Sequence, residues 1–210
     1  MSTMTYSNNM KAIIRHRYGG PEVLEIREIE KPRPASKELL VRVRATTVNR
    51  TDCGILTGKP WLIRAFVGLL RPRNKVPGTD FAGVVEAVGD EVRLFQPGDR
   101  VWGFHDEGLA SHAEYMTIDA EATVLPIPEG FSFAEAVACG EGAHYAYNFL
   151  NKVSLQPGQQ VLVNGATGGI GSAALQMLKA RGLEVTAVGD TPHLELLRNL
   201  GADAVIDYLR

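Results

Sequence analysis

Only two cysteines occur in the 210-residue chain, Cys53 and Cys139, and neither belongs to a Cys-x-x-Cys pair. A disulfide framework is thereby excluded, and a reducing compartment is the simplest setting. Long apolar runs are also missing. The longest, WLIRAFVGLL at 61–70, carries Arg64 and is about half of the roughly 20 residues a spanning helix needs. The amino terminus, MSTMTYSNNMKAII, lacks the apolar centre of a secretory signal. Residues 1–10 are therefore expected to be a disordered polar extension, with the first strand starting near Lys11. The protein is expected to be cytoplasmic, with no membrane partner. Neither charge sign dominates: the net charge is −2, which gives no electrostatic reason for a nucleic-acid partner. The one basic cluster, RPRNK at 71–75, reads as a solvated loop. What remains is ordinary, 45% hydrophobic and 22% charged residues, a balance that supports one large globular domain or two modest ones.

The first 128 or so residues read as short strands punctuated by Gly and Pro. KAIIRHRY precedes a Gly-Gly-Pro turn and VLEIREIE; ELLVRVRATTV alternates apolar and charged residues with period two. FAGVVEAVG, DRVWGF, SHAEYMTID and ATVLPIP continue the series, which is the pattern of an all-β barrel or sandwich. Near Ser132 the period changes. SFAEAVACGEGAHYAYNFLNKV has helical spacing, with Ser132 and Glu135 placed as a capping box. A strand, a glycine loop and a helix follow over 161–181, then a strand EVTAVGD, a helix PHLELLRNLG and a strand DAVIDY. That β-α-β-α-β order predicts α/β architecture with a parallel, doubly wound sheet. The predicted domains are 11–128 and 129–210.

Gly165, Gly168, Gly169 and Gly171 sit where a strand hands over to a helix, in the run GATGGIG. Without a Cβ they permit a tight turn and close approach to a pyrophosphate, which the helix N-terminus then faces. Asp190 lies nineteen positions past Gly171, where the dinucleotide fingerprint places an acid for the ribose hydroxyls. Gly165, Ala166, Thr167, Gly168, Gly169, Ile170, Gly171, Asp190 and His193 are the candidate cofactor-binding residues. The acid argues for NADH, whereas His193 offers partial positive charge to a 2′-phosphate. The cofactor is therefore written NAD(P)H, with a lean to NADH.

The sequence resembles the medium-chain dehydrogenase/reductase superfamily, in its zinc-independent branch similar to quinone oxidoreductases and zeta-crystallin. The resemblance runs from Lys11 to the last residue. It rests on MKAIIRHRYGGPEVLEI, ATTVNRTDCGILTGK, VPGTDFAGVVEAVG, QPGDRVWG and GGIGSAALQMLK, the last with its Gly-Gly-x-Gly, Gln176 and Lys179 spacing. It implies a GroES-like barrel followed by the first βαβαβ half of a Rossmann domain, and thus a chain truncated inside that domain. Zinc-dependent members carry Cys, His-Glu and Cys where this sequence has Asn49, Thr79 with Asp80, and Glu141. Asn and Thr are poor substitutes for thiolate and imidazole, so no zinc is expected.

Hydride transfer without a Lewis acid needs an acceptor that hydrogen bonds can polarise. The resemblance implies a conjugated carbonyl, a quinone or enone, or else a small aldehyde or ketone. It places Asn49 and Asp52 facing the cleft, and Thr79 and Asp80 on its floor. Asn49 is either the donor to the substrate carbonyl or a tie for its loop. Tyr145 or His144 is either a proton donor or a packed member of a helix start. The segment 58–70 resembles a cleft-edge helix whose apolar face fits an apolar substrate. Two functional readings follow: an oxidoreductase acting on a small apolar carbonyl compound, or an inactive nucleotide-binding module that needs a partner to complete its sheet. A homodimer is expected.

Overall fold

The computed structural model describes residues 8–105 and 110–210; the expected extension falls largely outside them. The chain divides into one compact unit ending at Val137 and a second spanning Ala138–Arg210.

In the first unit, β1 (Asn9–Ile14) and β2 (Glu25–Glu30) form an antiparallel hairpin in which Met10 faces Ile29 and Ala12 faces Arg27. Met10, Ala12 and Ile14 are buried, as period-two alternation requires. The strand begins at Asn9 rather than near Lys11. β3 (Glu38–Ala45), β4 (Asp80–Val88), β5 (Arg100–Phe104), β6 (Tyr115–Asp119) and β7 (Val124–Pro126) build an antiparallel sheet in the order β6-β3-β4-β5-β7. The hairpin joins this sheet through an Ala12–Ala113 bridge, and Ile13 N–H donates to the His112 carbonyl at 2.9 Å. Leu39, Val41, Phe81, Val85, Val101 and Met116 fill the core.

Three helices complete the β unit, and a fourth opens the second unit. α1 (Arg50–Thr57) stops at Gly58, whose φ of +63° is a left-handed cap that glycine adopts without a Cβ penalty. The segment expected as one cleft-edge helix is broken: a 3₁₀ turn at Trp61–Ile63 leads into the four-residue α2 (Arg64–Val67). α3 (Phe133–Ala138) carries the expected box, with Ser132 N–H donating to Glu135 at 2.8 Å and Glu135 N–H donating to Ser132 Oγ at 3.2 Å. α4 (Gly140–Leu150) is separate, so the helical pattern expected from Ser132 onward resolves into two helices divided at Cys139. The chain there is CGEG, and its glycines weaken helix continuation.

In the second unit β8 (Gln160–Asn164), α5 (Gly169–Ala180), β9 (Glu184–Gly189), α6 (Leu194–Asn199) and β10 (Ala204–Asp207) form a parallel sheet in the order β10-β9-β8. α5 buries Leu175 and Leu178 against Val185, Ala187 and Leu197. Lys179 ties the end of α5 to the loop before β10 through Asp203 at 2.7 Å.

Candidate functional site

The polar residues of the β unit converge at the start of α1. Asn49 caps this helix: its Oδ1 accepts from the Asp52 N–H at 2.8 Å, and Asp52 Oδ2 accepts from the Asn49 N–H at 3.1 Å. Its Nδ2 then donates to Thr79 Oγ1 at 2.8 Å and to Asp80 Oδ2 at 2.9 Å. Both amide hydrogens are thus engaged. Thr47 also donates to Asp80 Oδ2, and Thr79 donates to Asp52 Oδ1 at 3.4 Å. Asn49, Asp52, Thr79 and Asp80 are therefore one connected network, and the last three are buried.

Two further residues set its electrostatics. Burial pushes the Asp52 carboxyl above its usual range, partly offset by the Asn49 N–H, the charge of His112, the Thr79 hydroxyl and Arg15. Arg15 is only 2% exposed and donates from Nη1 to the Ile55 carbonyl at 2.6 Å, holding α1 from below. Burial lowers its pKa. His112 Nε2 lies 2.9 Å from the Thr47 carbonyl; a carbonyl only accepts, so the ring proton sits on Nε2. An apolar groove of about 560 Å³, lined in part by Thr46, Val48, Ser111 and His112, adjoins the network. Sequence reading did not single out Thr47, Arg15 or a role for His112. Arg15 looks like a surface position in KAIIRHRY, and only the hairpin's docking buries it.

The glycine loop belongs to the second unit. β8 runs into Gly165, whose φ is +71°. Ala166 is fully buried and its N–H donates to the Val188 carbonyl at 3.1 Å, which pins the loop to β9. Gly168 N–H returns to the Gly165 carbonyl at 3.1 Å. Gly168 is the extended N-cap of α5 and brings no side chain over the helix end. The amides of Gly169, Ile170 and Gly171 consequently have no partner within the helix. A Cβ on Gly171 would meet the Gly165 carbonyl oxygen at 2.2 Å, and one on Gly142 would meet the Gly169 carbonyl oxygen at 2.7 Å. Close approach of backbones therefore demands glycine at both positions. Thr167 touches the end of β9, where a Cβ on Gly189 would stand 3.3 Å from its methyl group. Asp190 follows β9, and its Oδ1 lies 2.6 Å from His193 Nδ1. This cradle fits a dinucleotide: bare amides at a helix N-terminus for the pyrophosphate, and a carboxylate one crossover away for the ribose.

Tyr145 lies on α4, edge-on to the His144 ring at 5.6 Å and stacked with Phe149 at 6.2 Å. His144 Nε2 is 3.0 Å from Asn148 Nδ2. Glu141 stands in the first turn of the same helix. Among the described residues no three His, Cys, Asp or Glu side chains are grouped to hold a metal ion.

An antiparallel β unit followed by a parallel sheet with a glycine-rich first crossover defines the class: a GroES-like module joined to the opening of a nucleotide-binding fold. The profile of the alcohol dehydrogenase GroES-like domain matches residues 35–147. A 2-methylene-furan-3-one reductase of Solanum lycopersicum is 33% identical over 219 aligned positions, covering 100% of this chain and 55% of the relative. The quinone oxidoreductase of Homo sapiens is 36% identical over 189 positions, covering 87% and 53%. The solved quinone oxidoreductase from Coxiella burnetii superimposes with a TM-score of 0.86 at 28% identity, over 96% of this chain and 63% of that one. The chain belongs to the alcohol dehydrogenase GroES-like family, within the zinc-independent quinone oxidoreductase branch of the medium-chain dehydrogenase/reductase superfamily. It spans little more than half the length of the curated relatives it matches.

Proposed function

We propose that this chain carries the adenosine-gripping half and the β unit of a zinc-independent, NAD(P)H-dependent oxidoreductase that reduces a conjugated carbonyl compound, a quinone or enone, or a small aldehyde or ketone. The observation that carries the reading is the cradle from Gly165 to Gly171, with its uncapped α5 amides and Asp190 beyond the next strand. The names of the relatives, quinone oxidoreductase and 2-methylene-furan-3-one reductase, supply the acceptor class.

A reduced nicotinamide, when bound, supplies the hydride. Gly169, Ile170 and Gly171 would hold the pyrophosphate through the backbone amides that the helix leaves unpaired, with Gly168 keeping a side chain away from that end, and Asp190 would accept from the ribose hydroxyls. His193 steadies that carboxylate in place. In this reading Asn49, Asp52, Thr79 and Asp80 position the substrate-side loop, because Asn49 reaches a carbonyl only by surrendering Thr79 or Asp80. Tyr145 is assigned the proton delivered to the reduced product. The protein is cytoplasmic in this account.

The direct test is oxidation of NADH and of NADPH by the purified protein with a panel of quinones, enones, aldehydes and ketones, using 4-deuterated cofactor to follow label into the carbon of enone, aldehyde and ketone products; hydroquinone formation is followed by absorbance, because a hydroxyl label exchanges with water. Label in the product supports the reading. A second reading rests on β8, which among the described residues borders β9 alone. Its other edge offers backbone groups to another strand, so the chain is then an inactive nucleotide-binding module completed by a partner, a second copy in a homodimer included. Nucleotide binding without turnover of any acceptor, together with a dimer on sizing, would favour that second reading.

A further inference from the structure

The segment after α1 holds a row of apolar side chains away from the protein. Trp61, Leu62, Phe66, Leu69 and Leu70 are 71, 59, 67, 68 and 86% exposed. Single exposed apolar residues need no explanation; five within ten positions form a patch that does. The same stretch is charged in one sense. Residues 53–79 contain Lys59, Arg64, Arg71, Arg73 and Lys75 and no Asp or Glu, in a chain whose net charge is −2. Arg71, Arg73 and Lys75 are exposed and form no ion pair among the described residues.

The patch is displayed on a fixed support. Tyr18 donates its hydroxyl to the Gly68 carbonyl, and the Arg64 guanidinium lies 4.5 Å over the Tyr18 ring while donating to the Gly58 carbonyl at 3.1 Å. Val67 is buried, and Arg73 N–H donates to its carbonyl at 2.9 Å. Arg64 is thus used inward, which leaves Lys59, Arg71, Arg73 and Lys75 as the outward cations.

We infer that residues 59–75 form a docking surface for an anionic lipid bilayer. Exposed Trp and Leu side chains close in sequence to exposed Arg and Lys are suited to the boundary between headgroups and acyl chains, where apolar burial and attraction to anionic headgroups add. A nucleic acid would use the cations and leave the five apolar side chains in water. Among the described residues no helix is long and apolar enough to cross a membrane, which bears on spanning and leaves surface contact open. Docking brings the protein to a phase in which apolar carbonyl compounds concentrate, so the inference extends the proposed function; its test does not depend on activity.

The experiment is flotation of the purified full chain with vesicles of phosphatidylglycerol mixed with phosphatidylcholine, and with phosphatidylcholine alone, while Trp61 fluorescence is followed. Expected are at least ten-fold tighter binding to the anionic vesicles, a blue shift absent from Trp61→Phe, and weakening with salt. Arg71→Ala with Arg73→Ala should weaken binding about twenty-five-fold, roughly five-fold per cation, and Phe66→Ser with Leu70→Ser should remove the anchored fraction. These surface variants keep the buried support. Equal affinity for both vesicle types, binding unchanged in the variants, or binding to duplex DNA as tight as to anionic vesicles would overturn the inference. So would burial of Trp61 by self-association in the absence of lipid.

Discussion

Gly171 and Gly165 meet at a distance that leaves no room for a side chain: a Cβ on the first would stand 2.2 Å from the carbonyl oxygen of the second. The first turn of α5 is thereby pressed onto the loop that precedes it. Gly171→Val should push the helix off that loop, lower NADH and NADPH affinity at least ten-fold, and cost about 1–3 kcal/mol of stability. Gly169, whose Cβ would meet nothing within 4 Å, is the control. Gly169→Ala should be folded and more stable than Gly171→Val in a urea titration. Equal tolerance of both substitutions would contradict the close-approach argument.

Asn49 serves two neighbourhoods at once, capping α1 through Asp52 and bridging Thr79 to Asp80. Asn49→Ala should cost about 2 kcal/mol, a cap at the upper end of the usual range because buried partners are also released. Asn49→Ser restores only the cap and should recover part of the loss. Chemical denaturation separates the two; identical midpoints for Asn49→Ala and the parent would remove Asn49 from the positioning network.

Asp52 gives the network a pH dependence whose sign follows from its raised pKa. The folded state holds the proton more tightly than the unfolded chain. The ionised form therefore costs stability, a cost absent below the unfolded pKa of about 3.9 and fully present above the folded value. Asp52→Asn keeps an acceptor for the Asn49 N–H and removes the charge. It should be at least as stable as the parent at neutral pH, with the advantage shrinking as pH falls to about 4. A variant weaker than the parent at neutral pH and equal to it in acid would show that the carboxylate charge is stabilising after all.

On the proposed reading, the Asp190 and His193 side chains, 2.6 Å apart, select between NADH and NADPH. Asp190→Ser removes the charge that repels a 2′-phosphate and frees His193, so the ratio of NADPH to NADH affinity should rise at least ten-fold. An unchanged ratio would place the selecting residues elsewhere.

The parallel sheet was legible because its signals are local. Apolar runs, GATGGIG and the acid at Asp190 each sit within one supersecondary unit, and β8, α5, β9, α6 and β10 lie where periodicity puts them. The strands β3 to β7 were legible for the same reason. The site in the β unit was read only in part. Asn49, Asp52, Thr79 and Asp80 came from resemblance to a family, while their hydrogen bonds join residues about thirty positions apart that pattern alone cannot pair. The capping role of Asn49 was written in Asn-Arg-Thr-Asp at 49–52, a spacing in which an Asx side chain meets an acid three residues on. Arg15 left no such trace, since its burial depends on how the hairpin meets α1. The break at Cys139 and the 3₁₀ turn at Trp61 also escaped, because helical spacing of apolar residues continues across both.

The measurement that bears most directly on the account is calorimetric titration of the purified protein with ADP-ribose, which has the adenosine and pyrophosphate of the cofactor and no nicotinamide. The cradle predicts saturable one-to-one binding, competed by NADH and lost in Gly171→Val. A folded protein that takes up no ADP-ribose would contradict the assignment of Gly165–Gly171 as a dinucleotide grip, and with it the proposed oxidoreductase.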